Sequence, residues 1–220
     1  MNHKGLLIVI SGFSGAGKGT LMKKLMENYD QYALSISMTT RSPREGEVDG
    51  REYFFATKEQ FEDKIRENGF IEYAQYCSNY YGTPKDYVIN QLEAGKDVIL
   101  EIEIQGAMKV KEQFPDAVLL FVMPPSVDIL YQRLVGRGTE TKEVIMERLK
   151  RAKEEAVGIE NYDYIIINDN LETCVRQLHE LLDKTHKEMQ EQYHPDNSKE
   201  LRELVYNIRT ELTSLVKGEK

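Results

Sequence analysis

A glycine-rich loop that carries one lysine lies close to the N-terminus. Its pattern is Gly12-x4-Gly17-Lys18, between a short apolar run and a helix-forming segment. Glycines let successive backbone N–H groups turn toward one anion, and the positive end of the following helix adds to the attraction. Lys18 supplies a cation that reaches the β- and γ-phosphates of a nucleoside triphosphate. The loop therefore predicts triphosphate binding by Ser14, Gly15, Ala16, Gly17, Lys18, Gly19 and Thr20.

The spacing of the glycines excludes a dinucleotide-binding loop, and Gly19 removes one expected Mg²⁺ ligand. A dinucleotide-binding loop needs G-x-G-x-x-G, but Gly19 places the third glycine one residue early. The eighth motif position is normally a Ser or Thr whose hydroxyl binds Mg²⁺, and Gly19 has no side chain to offer. We therefore expect Mg²⁺ to be held mainly by triphosphate oxygens and water, with no confident direct protein ligand.

A pair of arginines, Arg41 and Arg44, flanks a proline in the segment Thr39 to Arg44. Two guanidinium groups on a short loop are able to clamp one phosphate by paired N–H bonds. Surface arginines are also commonly solvated, so the pair alone leaves both interpretations open. Acidic and tyrosine-rich segments follow at residues 46–53, 70–74 and 79–83.

A second group of arginines, Arg133, Arg137 and Arg148, lies in the C-terminal half. Arg137 stands between Gly136 and Gly138, which predicts a flexible joint. Phosphoryl transfer spreads negative charge over the phosphate oxygens, and catalysis consists mainly of positioning and electrostatic stabilisation. These cations therefore suit a phosphoryl-transfer site.

Short apolar runs alternate with helical segments and would position these side chains. The predicted strands are 6–10, 97–100, 117–123 and 164–167, and the predicted helices are 20–28, 84–94, 127–135, 142–157 and 171–184. This alternation predicts an α/β fold with a parallel sheet covered on both faces. Short strand-like pieces at 33–39, 52–56 and 70–76, with a helix at 58–67, predict a small mixed α/β insertion.

The C-terminal segment carries an apolar stripe at helical spacing. Its members are Leu201, Leu204, Val205, Ile208, Leu212 and Leu215. Such a stripe must be buried somewhere. We expect an extra helix packed on the domain, with a dimer or partner contact as the alternative.

Composition limits the classes of partner. The 220 residues carry a net charge of −8, which opposes general binding to nucleic acid or to anionic membranes. The longest apolar run, residues 117–123, is too short to cross a bilayer, and the N-terminus does not resemble a signal peptide. Two cysteines form no disulfide framework, which favours a reducing cytoplasm. The oligomeric state is left open as a monomer or a homodimer.

Several motifs in register resemble those of the guanylate kinases, nucleoside monophosphate kinases of the P-loop NTPase family. The resemblance spans about residues 5 to 188. Besides the phosphate loop, the motifs are Thr40-Arg41-x2-Arg44-x-Gly46-Glu47, Phe70-Ile71-Glu72, Asn79-Tyr80-Tyr81-Gly82, Gln105-Gly106, Pro124-Pro125-Ser126 and Gly136-Arg137-Gly138-Thr139-Glu140-Thr141.

The resemblance implies Mg²⁺-dependent transfer of the γ-phosphoryl group of ATP to GMP, with dGMP as a further acceptor. It implies catalytic roles for Lys18, Arg41, Arg133, Arg137 and Arg148, and ATP binding that includes Asn168. It places the GMP phosphate on Arg41, Arg44, Tyr53 and Tyr81, and the guanine on Glu72, Ser37, Thr83 and Glu101. Glu103 is implied to contact Mg²⁺ through water.

The chemistry of guanine supports one of these roles. Guanine presents N1–H and an exocyclic amino group side by side, and the Glu72 carboxylate is able to accept from both. Adenine has an acceptor at N1, so a buried Glu72 would leave adenine unmatched.

The resemblance divides residues 1–190 into functional parts, and the apolar stripe predicts the helix that follows them. Residues 1–34, 88–125 and 159–190 form a three-layer P-loop core, 35–87 a GMP-binding subdomain, 126–158 a helical lid, and 191–220 a helical extension. Two alternatives stay open: a P-loop kinase of another phosphorylated acceptor, and a non-catalytic guanylate-kinase-like binding module.

Overall fold

The computed structural model describes residues 4–76, 78–136, 141–191 and 199–217. The chain forms two compact units, one of Met1–Val9 with Tyr29–Val118 and one of Ile10–Asn28 with Leu119–Lys220. Within the described residues, the strands are β1 (Leu7–Gly12), β2 (Tyr32–Leu34), β3 (Met38–Thr39), β4 (Phe54–Phe55), β5 (Phe70–Tyr76), β6 (Asn79–Pro84), β7 (Asp97–Glu101), β8 (Val118–Met123) and β9 (Tyr164–Ile167).

Helices fill most of the remaining described chain. They are α1 (Lys18–Asn28), α2 (Lys58–Arg66), α3 (Lys85–Glu93), α4 (Ile104–Gln113), α5 (Val127–Val135), α6 (Lys142–Glu155), α7 (Leu171–Glu191) and α8 (Lys199–Lys217), with a 3₁₀ helix at Ala156–Asn161. Over the described parts of the chain, none of these helices combines the length and the apolar character needed to cross a membrane.

A five-stranded sheet has the strand order β2-β7-β1-β8-β9. β2 pairs with β7 in parallel, and β8 pairs with β9 in parallel. All six residues of β8 are buried, as expected for a parallel strand covered on both faces. The predicted α/β class with a parallel sheet is confirmed.

The unit of Met1–Val9 and Tyr29–Val118 also contains a four-stranded mixed sheet of order β4-β3-β6-β5. α2 begins beside this sheet with a capping box, in which the Thr57 side chain accepts from the Gln60 backbone and the Gln60 side chain accepts from the Thr57 backbone. This sheet and helix match the small mixed insertion that the sequence predicts.

One predicted strand of the insertion is wrong, because residues 33–39 divide between the two sheets. Tyr32–Leu34 pairs with β7, and the Ser35 backbone N–H still donates to Ile99 O at 2.8 Å. From Ser37 onward the chain bonds elsewhere, since the Phe54 N–H donates to Ser37 O at 2.9 Å. The boundary between these two strands is set by the strands with which they pair, and residue periodicity carries no information about those partners.

Two elements beside the candidate site were not predicted. β6 contains asparagine, glycine and proline, which are depleted in strands, and it is nevertheless paired on both sides. α4 contains Gly106, a poor helix former, in its first turn. Tertiary packing overrides local propensity in both elements.

The C-terminal helix α8 packs within its own unit, against α5, α6 and the 3₁₀ helix. Val205, Ile208 and Leu212 of the predicted apolar stripe are buried there. Arg209 donates to the Ala156 and Val157 carbonyls and pairs with Glu160. This face of α8 is therefore covered by the chain itself.

We expect Leu212→Ala to lower the free energy of unfolding by about 2–5 kcal/mol, because the side chain is fully buried and its removal leaves a cavity. Urea unfolding followed by circular dichroism measures this change. The matched control is Tyr206→Ala on the same helix, where the side chain is 69% exposed. Equal effects of the two substitutions would contradict the packing of α8 on α5 and α6.

Candidate functional site

The glycine-rich loop connects the end of β1 to the start of α1 at Lys18. Its backbone requires glycine at two points. Gly17 has φ +89°, and a Cβ there would lie 2.6 Å from Asn168 Nδ2. At Gly12 a Cβ would lie 2.2 Å from Val122 O. The loop therefore approaches β8 and the end of β9 too closely for a side chain at either position.

Lys18 folds back over the loop that precedes it. Its Nζ donates to Gly12 O at 2.7 Å and to Phe13 O at 3.3 Å. The ammonium group is thus held against the backbone of the loop, at the start of α1. Helix α1 begins two residues earlier than the predicted Thr20, so Lys18 itself belongs to the first turn.

Two of the predicted arginines contact this loop. Arg148 on α6 donates to Ser14 Oγ, and Arg133 on α5 donates to Ala16 O at 3.3 Å. Arg133 also donates to Asn168 O at 2.7 Å. Arg137 lies outside the described residues. The structure therefore gathers positive charge from α5 and α6 around the loop.

Asn168 follows β9 and is buried beside the loop. Its Nδ2 donates to Ala16 O at 2.8 Å, so the side-chain amide supports the loop backbone. The contact of Asn168 with an adenine ring stays a prediction. The family resemblance placed Asn168 beside the adenine and did not anticipate that its amide holds the loop.

A carboxylate and a hydroxyl meet on the face of the mixed sheet. Glu72 on β5 lies directly opposite Thr83 on β6, and Thr83 Oγ1 donates to Glu72 Oε1 at 2.8 Å. Thr83 is fully buried. The first turn of α4 lies beside the other carboxylate oxygen, since a Cβ on Gly106 would be 3.7 Å from Glu72 Oε2.

Burial dominates the electrostatics of Glu72. It raises the pKa of the carboxyl, and the hydrogen bond from Thr83 and the charge of Lys109 lower it only in part. A half-buried carboxylate with a fixed partner on one oxygen is suited to accept hydrogen bonds from a planar donor pair. Tyr81 is two residues before Thr83 on β6 and so shares its face of the sheet.

Arg41, Tyr53 and Tyr81 form a second cluster. The guanidinium carbon of Arg41 lies 5.3 Å from the centroid of the Tyr53 ring, a cation–π contact. The Tyr53 and Tyr81 rings meet edge to face at 6.2 Å between centroids. Three of the four predicted phosphate contacts are thus brought together. Tyr81 belongs both to this cluster and to the sheet face of Thr83.

The remaining predicted residues occupy separate positions. Arg44 is exposed on the segment after Arg41, and Ser37 is half-buried just before β3. Glu101 ends β7 and Glu103 precedes α4, both exposed at the carboxyl end of β7. Gly19 and Thr20 are exposed in the first turn of α1.

One residue at this site received no role from its sequence motif. Glu47 receives two hydrogen bonds from the Arg41 guanidinium, each at 2.9 Å. The signal was present in the Gly46-Glu47 pair that follows the arginines, but spacing alone does not say which arginine the carboxylate meets.

Comparison with known proteins gives one consistent result. Residues 4–185 match the family described as guanylate kinase. The chain is 50% identical to the guanylate kinase of Oceanobacillus iheyensis over 186 residues, which are 84% of this chain and 90% of that protein. It is 51% identical to the guanylate kinase of Clostridium tetani over 180 residues, covering 82% and 86%. Its structure resembles that of guanylate kinase from Anaplasma phagocytophilum with a TM-score of 0.64 at 31% identity, covering 84% of this chain and 88% of that one.

Proposed function

This chain belongs to the guanylate kinase family, and from that membership we propose how its residues carry out the reaction. It is a nucleoside monophosphate kinase that transfers a phosphoryl group from ATP to GMP, giving ADP and GDP. dGMP is a further acceptor in this proposal.

The triphosphate of ATP binds to the glycine-rich loop. Residues 14–20 contribute backbone N–H groups, and Lys18 turns from the Gly12 and Phe13 carbonyls toward the β- and γ-phosphates. Arg133 and Arg148 add charge where negative charge develops, with Arg137 as a third cation. The contacts of Arg133 and Arg148 with the loop support these roles. Asn168 lines the adenine side of the same loop.

GMP binds to the unit that holds the mixed sheet. Arg41, Arg44, Tyr53 and Tyr81 hold the phosphate, and Glu72, Ser37, Thr83 and Glu101 contact the guanine. The observation that carries the base assignment is the Glu72–Thr83 pair, because it fixes a half-buried carboxylate on the same sheet face as Tyr81. Glu72 accepts from guanine N1–H and from the exocyclic amino group.

Transfer is direct and in line, with no covalent enzyme intermediate. The attacking atom is a phosphate oxygen of GMP, which is already ionised near pH 7 because the second pKa of a phosphomonoester is about 6. No side chain has to remove a proton from it. The protein therefore contributes orientation and electrostatic stabilisation of the transferred group.

Mg²⁺ accompanies ATP in this proposal. Across the described ranges, no cluster of three or more His, Cys, Asp or Glu side chains suits a metal ion. Gly19 has no side chain, so the donors at hand fit an ion whose ligands are mainly phosphate oxygens and water, with Glu103 reaching it through water. When bound, Mg²⁺ neutralises charge on the β- and γ-phosphates.

The functional division follows the motifs. Residues 1–34, 88–125 and 159–190 serve as the P-loop core, 35–87 as the GMP-binding subdomain, 126–158 as the lid, and 191–220 as an extension. The proposed site of action is the cytoplasm, with ATP and GMP as the small-molecule substrates.

A coupled assay for ADP production tests these assignments with GMP, AMP and UMP as acceptors. We expect kcat/KM for GMP to exceed that for AMP by about 10⁴-fold, because adenine leaves buried polar groups unpaired. Removal of Mg²⁺ by a chelator should stop turnover, and added Mg²⁺ should restore it. Faster turnover with AMP or UMP would contradict the guanine pocket, and the absence of turnover with every acceptor would favour a binding module.

A further inference from the structure

Glu47 links the two arginines that flank Pro43. Its Oε2 accepts from Arg41 Nη1 at 2.9 Å and from the Arg44 backbone N–H at 2.7 Å, while its Oε1 accepts from Arg41 Nη2 at 2.9 Å. The Glu47 N–H donates in return to Arg44 O at 3.1 Å. One carboxylate therefore fixes the Arg41 guanidinium to the backbone of Arg44.

This ion pair is shielded from water to an unusual degree for its loop. The side chains of Arg41 and Glu47 are 15% and 17% exposed, whereas those of the neighbouring pair Arg51–Glu52 are 62% and 36% exposed. Hydrogen bonds from Arg41, and then from the Arg44 backbone, lower the pKa of Glu47, so the carboxylate is ionised at neutral pH. A shielded, paired arrangement of this kind restricts the guanidinium more than a solvated surface pair does.

The contacts leave one edge of Arg41 for a ligand. A guanidinium carries five N–H donors in a fixed plane. Glu47 takes one from each Nη, and Ser42 O takes a further Nη1 donor at 2.7 Å. The Nε–H and the second Nη2 hydrogen point along the other edge, whose spacing matches two oxygens of a phosphate. The hydrogen bonds with Glu47 are the main cause that raises the pKa of Arg41. Tyr53 packs against both the guanidinium and the Tyr81 ring, so the two tyrosines border the same group.

We propose that Glu47 is a positioning residue for the acceptor phosphate. It holds Arg41 through both Nη groups, so that the Nε–Nη2 edge of the guanidinium faces the phosphate of GMP. This inference rests on the proposed function, since it takes Arg41 as a phosphate contact. Glu47 does not touch the substrate and acts through Arg41. It also keeps Arg44 in register, because the same oxygen that accepts from Arg41 accepts from the Arg44 backbone.

Glutamine at this position would break the arrangement without changing its size. An amide has one acceptor oxygen, so its NH₂ group would face a donor of Arg41 or of Arg44. Arg41 would then lose its fixed orientation. We expect Glu47→Gln to raise KM for GMP about tenfold, with KM for ATP unchanged. Glu47→Asp, which keeps the charge on a shorter stem, should give an intermediate value.

The matched control is Glu52→Gln in the same loop. Glu52 also accepts from an arginine, Arg51, and from a backbone N–H, that of Val48. Because Arg51 has no proposed contact with phosphate, this variant should keep KM for GMP within twofold of the parent protein.

Guanosine separates positioning from general damage, because it has the base and lacks the phosphate. Its competitive inhibition constant should be the same in Glu47→Gln and the parent protein. If guanosine binding weakens together with GMP binding, Glu47 has only a structural role and the proposal is overturned. A lower KM for GMP in Glu47→Gln would also overturn it, since the carboxylate would then compete with the phosphate.

Arg41→Lys distinguishes failure of this inference from failure of the proposed function. An unchanged KM for GMP in Arg41→Lys would refute the phosphate contact itself. A raised KM in Arg41→Lys together with an unchanged KM in Glu47→Gln would refute only the positioning role. In the double variant Arg41→Lys with Glu47→Gln, the effects should be non-additive, since Glu47 acts through Arg41.

Discussion

Lys18→Ala is expected to lower kcat by about 10²–10³-fold, the range found when one preorganised donor to a developing charge is removed. Lys18 is the cation that the loop itself supplies, and the backbone of Gly12 and Phe13 holds it at the start of α1. In the proposed function its charge acts on the β- and γ-phosphates, so the effect should fall on the transfer step. Steady-state kinetics with saturating ATP and GMP measure the change.

A second lysine on the same helix provides the control. Lys24 pairs with Glu27 and Glu172 at the surface, and Lys24→Ala removes a charge from α1 without approaching the loop. Its kcat should stay within twofold of the parent value. If kcat of Lys18→Ala also stays within twofold of the parent value, the proposed role of Lys18 is contradicted. A raised KM for GMP in Lys18→Ala would contradict it as well, because Lys18 is proposed to act on the phosphates of ATP.

Glu72→Gln is expected to lower kcat/KM for GMP by about 10²–10³-fold and to reduce the preference for GMP over AMP. The amide has one acceptor where the carboxylate offers two, so one guanine donor would face an NH₂ group in a buried site. Loss of an acceptor for a buried donor is costly because the donor stays desolvated. Parallel assays with GMP and AMP measure both quantities.

Glu62→Gln on α2 is the control, since Glu62 forms a solvent-exposed pair with Lys58. It should leave both kcat/KM values unchanged. If Glu72→Gln preserved GMP activity and base preference, the assignment of the base pocket would be wrong.

The raised pKa of Glu72 adds a pH dependence with a definite sign. In the proposed function the carboxylate form of Glu72 binds guanine. Burial raises the pKa of Glu72 above that of an ordinary glutamate, so protonation should compete with binding at a higher pH than usual. The inhibition constant of guanosine should therefore rise as the pH falls through the pKa of Glu72. Guanosine is used because the phosphate of GMP titrates near pH 6 and would obscure the effect.

Local chemistry made much of the site predictable. The glycine spacing and Lys18 identified the triphosphate loop, because an anion nest requires those residue types at adjacent positions. The family resemblance assigned Glu72 to guanine, the hydrogen-bonding pattern of guanine supported that role, and the structure places Glu72 against Thr83. Continuous apolar runs predicted the parallel strands, since such strands are buried on both faces.

Other features could not be predicted from local sequence. Asn168 follows its strand as an ordinary polar residue, and only the folded chain shows that it holds the Ala16 carbonyl. Glu47 was visible in its motif, but two arginines precede it, and a third, Arg51, follows. Which of them it meets depends on the turn between Arg44 and Glu47, where Gly46 has φ +85°.

The sequence by itself determined which groups the chain offers for its proposed reaction: the phosphate loop, the arginines, the Glu72 carboxylate and the alternation that makes an α/β fold. The tertiary structure alone decided which sheet received Tyr32–Leu34 and which received Met38–Thr39, and it brought Arg133, Arg148 and Asn168 to the loop. The physical reason is that apolar burial is non-directional and residue type sets only what a group is able to bind. The partner of each hydrogen bond is fixed when the strands pair and the helices pack.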